Sequence, residues 1–170
     1  DRGIRSIAVV EPKPSARLRQ WAKARKIALF DAPSAVKRRP AVCVVAIKPQ
    51  VLKGEAATLA GFAQGGALMI SIAAGTSIAA LTQAWGKKAR IIRAMPNTPG
   101  AIGRGITGIY AAKAVTAADK KRAASLLAAS GETLWVSKEA LIDSVTAVSG
   151  SGTAYLFLMA VALTEAGVAE

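Results

Sequence analysis

The chain has no histidine, and only one of its 170 residues is cysteine. Without histidine, Ser-His-Asp and Cys-His activation of a nucleophile is excluded within this chain. So are zinc sites built from His and Cys, because a lone thiol cannot replace the missing ligands. One cysteine forms no intramolecular disulfide, which fits a reducing cytoplasm. Cys43 lies in an apolar run and reads as a small core residue. Aromatic residues make up only 5% of the chain, and acidic residues number 10 against 23 basic ones, for a net charge of +13. Such a charge suggests nucleic acid. The basic residues, however, are scattered through 13–26, 37–39, 87–93 and 120–122, with no aromatics interleaved as a stacking platform. They read as a solvated surface, and no nucleic-acid partner is expected. The longest apolar run, 154–163, is ten residues. A membrane span needs about 18, so no membrane segment is expected. The charged opening residues do not form a secretory signal, and a start without methionine suggests a processed chain or a fragment. The remaining inventory contains no catalytic side chain and no metal site. Chemistry must come from positioning, backbone groups, Lys and Arg, a few carboxylates or a cofactor.

What is present is strongly apolar, at 52% of residues, and long enough for one domain or one domain and part of a second. Residues 4–10 read as a strand, 15–26 as a helix, 27–30 as a short strand, and the valine-rich 41–47 as a strand buried on both faces. Pro49 is placed to open the next helix, and Gly65 and Gly66 to end it. Residues 67–73 form another buried strand. Thr76 or Ser77 can cap a helix running to Trp85, and residues 89–95 form the next strand. This alternation predicts an α/β fold with a mostly parallel, doubly wound sheet. Further on, 106–110 and 132–137 read as strands that pair antiparallel at the sheet edge. A helix over 116–130 lies between them, opened by Thr116 and Asp119 as a capping box. A polar stretch at Lys138 and Glu139 marks a domain boundary. Beyond it, 154–166 reads as a helix apolar all round, with a second subunit as its natural cover.

In open parallel sheets, ligands bind outside the carboxyl ends of the strands. Four such ends line up: Glu11, "KPQ" from Lys48, "AAG" from Ala73, and "MPNTP" from Met95. In the last, Pro96 and Pro99 hold Asn97 in a fixed loop, since each proline also pushes its preceding residue away from helix. Two motifs read as decoys. "GRGITG", residues 103–108, matches a dinucleotide fingerprint but leads into a strand rather than a helix. "SGSG", residues 149–152, lacks nucleophile-elbow spacing and has no histidine to serve it. It reads as a flexible helix entry whose hydroxyl caps Ala154 or Tyr155, or as backbone that closely approaches a ligand.

Four segments, "AIKPQ" (46–50), "ISIAAG" (70–75), "RAMPNTP" (93–99) and "DSVTAVSGSGTAYLFLMAVALTEAG" (143–167), occur in the order and approximate spacing of pyrroline-5-carboxylate reductases. The chain resembles that family over nearly its whole length. It departs at Thr153, where the family usually has proline. The resemblance implies a Rossmann-type cofactor domain over 1–138 and the start of an all-α dimerisation domain over 139–170. It implies reduction of 1-pyrroline-5-carboxylate to L-proline with NADPH or NADH, in a homo-oligomer built from dimers. Cofactor contacts would come from Glu11, Ala46, Lys48, Pro49, Ala73, Ala74, Gly75, Met95, Pro96 and Asn97, the last beside the nicotinamide. Ser149, Gly150, Ser151 and Gly152 would border the substrate crevice.

A protonated imine is already electrophilic, so such a reaction needs orientation more than a side-chain acid. Glu11 suits a ribose hydroxyl and so NADH, whereas Lys13 and Arg17 suit a 2′-phosphate; the preference stays open. The fingerprint glycines expected about 20 residues before Glu11 are not in this sequence, nor is the family's later carboxylate-gripping loop. The chain by itself is therefore expected to lack normal activity. Two other readings compete. A hydroxyacid-dehydrogenase-type reductase would need a lysine base in the last helix, and residues 154–170 contain none. A basic nucleic-acid-binding module would show salt-dependent DNA binding without cofactor binding.

Overall fold

The computed structural model describes residue 4 and residues 6–169; the first residues of the expected opening strand fall partly outside that set. Within it, β1 (Ala8–Val10) and β2 (Ala28–Phe30) pair in parallel and flank α1 (Ala16–Ala24), which Ser15 caps through a bond from the Leu18 amide. Then follow β3 (Val42–Val45), α2 (Pro49–Glu55), α3 (Ala60–Gln64), β4 (Leu68–Ser71), α4 (Ile78–Trp85) and β5 (Arg90–Met95). The chain continues through β6 (Gly105–Ala111), α5 (Ala117–Leu127), β7 (Gly131–Trp135), α6 (Leu141–Val145) and α7 (Gly152–Val168).

Local chemistry explains most element ends. Pro49 opens α2, where a missing amide costs no helical bond. Ser77, rather than Thr76, caps α4 by accepting from the Ala80 amide, and Gly86 at φ 98° releases the chain after Trp85. At α5 the capping box is complete: the Asp119 amide donates to the Thr116 hydroxyl, and the Thr116 amide donates to the Asp119 carboxylate.

The second sheet has the order β3-β4-β5-β6-β7. Its second strand, β4, is fully buried, and alternation splits its side chains between two cores. Met69 joins Val45, Leu52, Leu81, Trp85 and Ile91 beneath α2–α4. Leu68 and Ile70 join Ile92, Ala94, Ile109 and Ala123 on the side of α5. The Trp85 indole is buried in the first core and donates to the Ala56 carbonyl at 2.8 Å, so its one polar atom is satisfied.

Three expectations need correction. The four carboxyl ends do not share one sheet, because β1 and β2 form a sheet of their own. The run at 41–47 is not buried on both faces: β3 is an edge strand of its sheet, and Val44 is 51% exposed. The antiparallel step lies between β5 and β6, while β6 and β7 are parallel. A short connection after β5 turns the chain back on itself, whereas α5 provides the crossover that keeps β7 in the direction of β6.

The last helix also begins earlier than residue 154. Residues 141–168 run as one helix of 28 residues, with a π-helical segment at Thr146–Ser151 between α6 and α7. Ser151, at the start of α7, already has helical backbone and makes no side-chain cap bond to Ala154 or Tyr155, and Ser149 donates its hydroxyl backward to the Val145 carbonyl at 2.9 Å. By length and apolarity alone this helix would reach across a membrane, which the ten-residue run had argued against. The continuous run misses it because scattered small and polar residues interrupt an otherwise apolar helix.

Candidate cofactor and substrate crevice

The crevice is set by strand register. Val45 aligns with Ser71, and Ser71 with Arg93, so β3 and β4 end level and β5 runs two residues further, to Met95, on the same side. The segments that leave them are those singled out in the sequence. From β3 come exposed Ala46 and Lys48 and half-buried Pro49. From β4 come buried Ala73, half-buried Ala74 and exposed Gly75. From β5 come half-buried Met95, Pro96 and Asn97.

Gly75 has φ 66°, and a Cβ built on it would meet nothing within 4 Å. The loop is thus left-handed at its tip and open in front of it, a place where a flat group can lie against backbone. Glu11 is apart from these three, at the end of β1 in the other sheet. Its carboxylate accepts from the Lys13 amide at 3.1 Å, which folds the turn after β1.

Asn97 holds the third loop closed. Its Oδ1 accepts from the Ile106 amide at 2.9 Å, joining the exit of β5 to the entry of β6. The acceptor end of the side chain is therefore used by the fold, and only the amide NH₂ is left as a donor. Pro99 sits in the first turn of the short 3₁₀ helix that follows.

The helical segment reaches this crevice through close packing. A Cβ at Gly150 would lie 3.4 Å from the Met95 methyl, which places the π-helical turn beside the β5 loop. Ser149, Gly150 and Gly152 are half-buried there, and Ser151 is exposed. Gly108 explains the approach of α6: a Cβ there would lie 2.9 Å from Val145. The last glycine of "GRGITG" therefore serves helix packing within β6, and the motif enters a strand as its pattern implied.

Sequence reasoning missed one group. Arg93, 4% exposed, lies in the buried interior of β5, between Ile92 and Ala94. Its guanidinium pairs with Glu139 at 3.3 Å and with Asp143 at 2.8 Å. Glu139 Oε1 also accepts from the Ile78 amide, at the start of α4, at 2.7 Å. The available signal was the second arginine of "RIIRAM", set between isoleucine and alanine inside the strand, because a buried charge requires partners. Elsewhere, burial pushes the Cys43 thiol up to about 11, so it stays protonated at neutral pH, as suits a packed side chain. Among the described residues no cluster of His, Cys, Asp and Glu is arranged to hold a metal.

Known proteins match this arrangement. The family described as pyrroline-5-carboxylate reductase dimerisation matches residues 139–170. A pyrroline-5-carboxylate reductase of Pseudomonas aeruginosa is 46% identical over 127 residues, covering 74% of this chain and 46% of that protein. The solved pyrroline-5-carboxylate reductase of Coxiella burnetii superposes with a TM-score of 0.85 at 33% identity, covering 95% of this chain and 60% of that one. The Plasmodium falciparum enzyme, solved with NADP bound, superposes with a TM-score of 0.81 at 27% identity, covering 95% and 58%. The chain spans about half the length of the curated relatives it matches. Identity at this level, over a Rossmann-type sheet that superposes so closely, means that the chain belongs to the pyrroline-5-carboxylate reductase family.

Proposed function

We propose that this chain carries the cofactor crevice of an enzyme that reduces 1-pyrroline-5-carboxylate to L-proline with NADPH or NADH. The observation that carries the reading is the meeting of the β5 loop and the π-helical turn, Met95 against Gly150, at the carboxyl ends of three parallel strands. The residues present suit a dinucleotide: two alanines and a left-handed, open Gly75 leave backbone accessible, and Lys48 is exposed beside them. When bound, the nicotinamide supplies a hydride to the imine carbon, whose electron pair passes to the ring nitrogen. The chain's own part is to orient. Ala46, Lys48, Pro49, Ala73, Ala74 and Gly75 bear on the cofactor, with Met95 and Pro96 at the end of the third strand. Asn97, with its oxygen committed to Ile106, donates its NH₂ to an acceptor on the cofactor. Ser149, Gly150, Ser151 and Gly152 close the substrate side. Glu11 bears on the adenosine ribose and leaves the NADPH or NADH preference to assay.

Residues 1–138 form the cofactor domain and 139–170 the start of the dimerisation domain, in a cytoplasmic homo-oligomer built from dimers. A second copy of the chain covers α7; the match of residues 139–170 to the dimerisation family supports reading residues 141–168 as a subunit contact rather than a membrane span. Imine-dependent oxidation of NADPH and NADH by the full-length protein tests the activity. Asn97→Asp tests the site, because the aspartate keeps an acceptor for Ile106 but loses the donor. We expect kcat/KM for the cofactor to fall about tenfold, equivalent to about 1.4 kcal/mol, with an unchanged melting temperature. Unaltered kinetics in that variant would remove Asn97 from the site.

A further inference from the structure

We infer that Arg93, Glu139 and Asp143 form a positioning clamp that sets the two walls of the crevice against each other. The inference rests on the reading above for its catalytic consequence, but not for its geometry.

The clamp joins three segments that line the crevice. Arg93 is two residues before Met95 on β5. Glu139 lies just before α6, and Asp143 lies within it, one turn ahead of the π-helical segment Thr146–Ser151. Ile78 is the first residue of α4, three residues after Gly75 at the tip of the β4 loop. One arginine thus holds α6 at two points, at 3.3 Å and 2.8 Å. One of its two acids also receives the first amide of α4 at 2.7 Å. That bond satisfies an amide which the helix itself cannot.

The packing makes these contacts sensitive to position. Gly108 admits Val145 of α6 to the sheet so closely that an added Cβ would lie 2.9 Å away. The Arg93 side chain is 5% exposed, so it cannot turn out to water if its partners leave. Glu139 and Asp143, at 28% and 69%, can. The asymmetry assigns the parts: the buried cation is the fixed post, and the acids bring the helix and the α4 loop to it. The bonds of the three side chains go to one another and to the Ile78 amide, so they act as positioning residues. Their effect passes through Met95, Gly75 and the π-helical turn.

The experiment uses the full-length enzyme with Arg93→Met, Glu139→Ala and Glu139→Gln. It reads amide hydrogen exchange at Ile78 together with steady-state kinetics for NADPH and the imine. Glu139→Gln keeps an acceptor for both Ile78 and Arg93, so it should retain slow exchange and most of the turnover. Glu139→Ala should speed Ile78 exchange and lower kcat about tenfold, with KM for NADPH within about twofold, as loss of orientation requires. Arg93→Met should speed the same exchange, although Arg93 does not touch Ile78, because Glu139 loses its post. If Arg93→Met does not fold, the two Glu139 variants, at a partly exposed position, still decide. Unchanged Ile78 exchange in Glu139→Ala, or a fall in kcat that Glu139→Gln shares in full, would overturn the clamp. A parent enzyme that reduces no imine would overturn the proposed activity instead, and the exchange data would still judge the clamp.

Discussion

Strand β4 and helix α7 are both strongly apolar, and the fold treats them in opposite ways. Leu68, Met69 and Ile70 are 0% exposed, sealed between α2–α4 on one side and α5 on the other. On α7, Leu156, Phe157, Leu158 and Leu163 are each between 59% and 68% exposed, and the helix has no buried residue. Both segments carry the same message in composition, that apolar surface must leave water. The difference is the source of the cover. The strand finds it within about 50 residues of chain on either side, whereas the helix needs a surface that this chain does not fold onto it.

The largest expected effect breaks the strand. Ile70→Asp places a carboxylate where no partner or water can reach it and should cost more than about 4 kcal/mol, enough to abolish a cooperative melting transition. A variant that melts normally would mean that β4 is not the core. The same change on the other element, Leu158→Asp, should leave monomer stability within about 0.5 kcal/mol. It should instead weaken self-association about 100-fold, near 2.7 kcal/mol, measured by sedimentation across a concentration series. If Leu158→Asp unfolds the protein as Ile70→Asp does, the helix is covered from within and the contrast collapses.

A smaller effect sharpens the comparison from the side of the strand. Arg90 pairs with Asp119 at 2.7 Å and also donates to the Gly66 carbonyl, fastening α5 to the layer that covers β4; α7 has no salt bridge among the described residues. Burial by itself raises the Asp119 pKa, but bonds from the Thr116 hydroxyl and amide and from the Arg90 guanidinium outweigh it and hold the carboxyl below its ordinary range. The folded value is depressed, so the unfolded chain binds the proton more readily. The stabilisation is present above the unfolded pKa of about 4 and is lost as pH falls through the folded one. Asp119→Asn should therefore cost about 1–2 kcal/mol at neutral pH, and the gap to the parent should narrow in acid unfolding below pH 4. A gap constant down to pH 2 would show that the charge of Asp119 is not what matters.

Much of this was legible in order along the chain. Pro49, Ser77 and the pair Thr116 and Asp119 act within three residues of themselves, so their roles follow from local backbone chemistry. The strand ends were legible for a similar reason: parallel strands joined by helices bring their carboxyl ends to one side, and "KPQ", "AAG" and "MPNTP" follow those ends. Ser151 was misread because a hydroxyl beside glycines signals a helix entry equally well when the helix has already begun, at Leu141. Val44 was misread because a valine run looks alike in a central strand and an edge strand.

By itself, the sequence determined the alternation of strands and helices, the capped helix starts, the three loops that leave the carboxyl ends of parallel strands, and the family. Each of these depends on residues near one another in the chain, where steric preference and hydrophobic period act directly. Only the tertiary structure decided that β6 turns back along β5 and that β1 and β2 stand apart from the main sheet. It alone showed that the Asn97 oxygen is committed to Ile106, and that Arg93 lies between two acids more than 40 residues away. Those choices depend on which distant groups can satisfy a buried charge, amide or apolar face. That is a property of the packed chain, and no local window of sequence contains it.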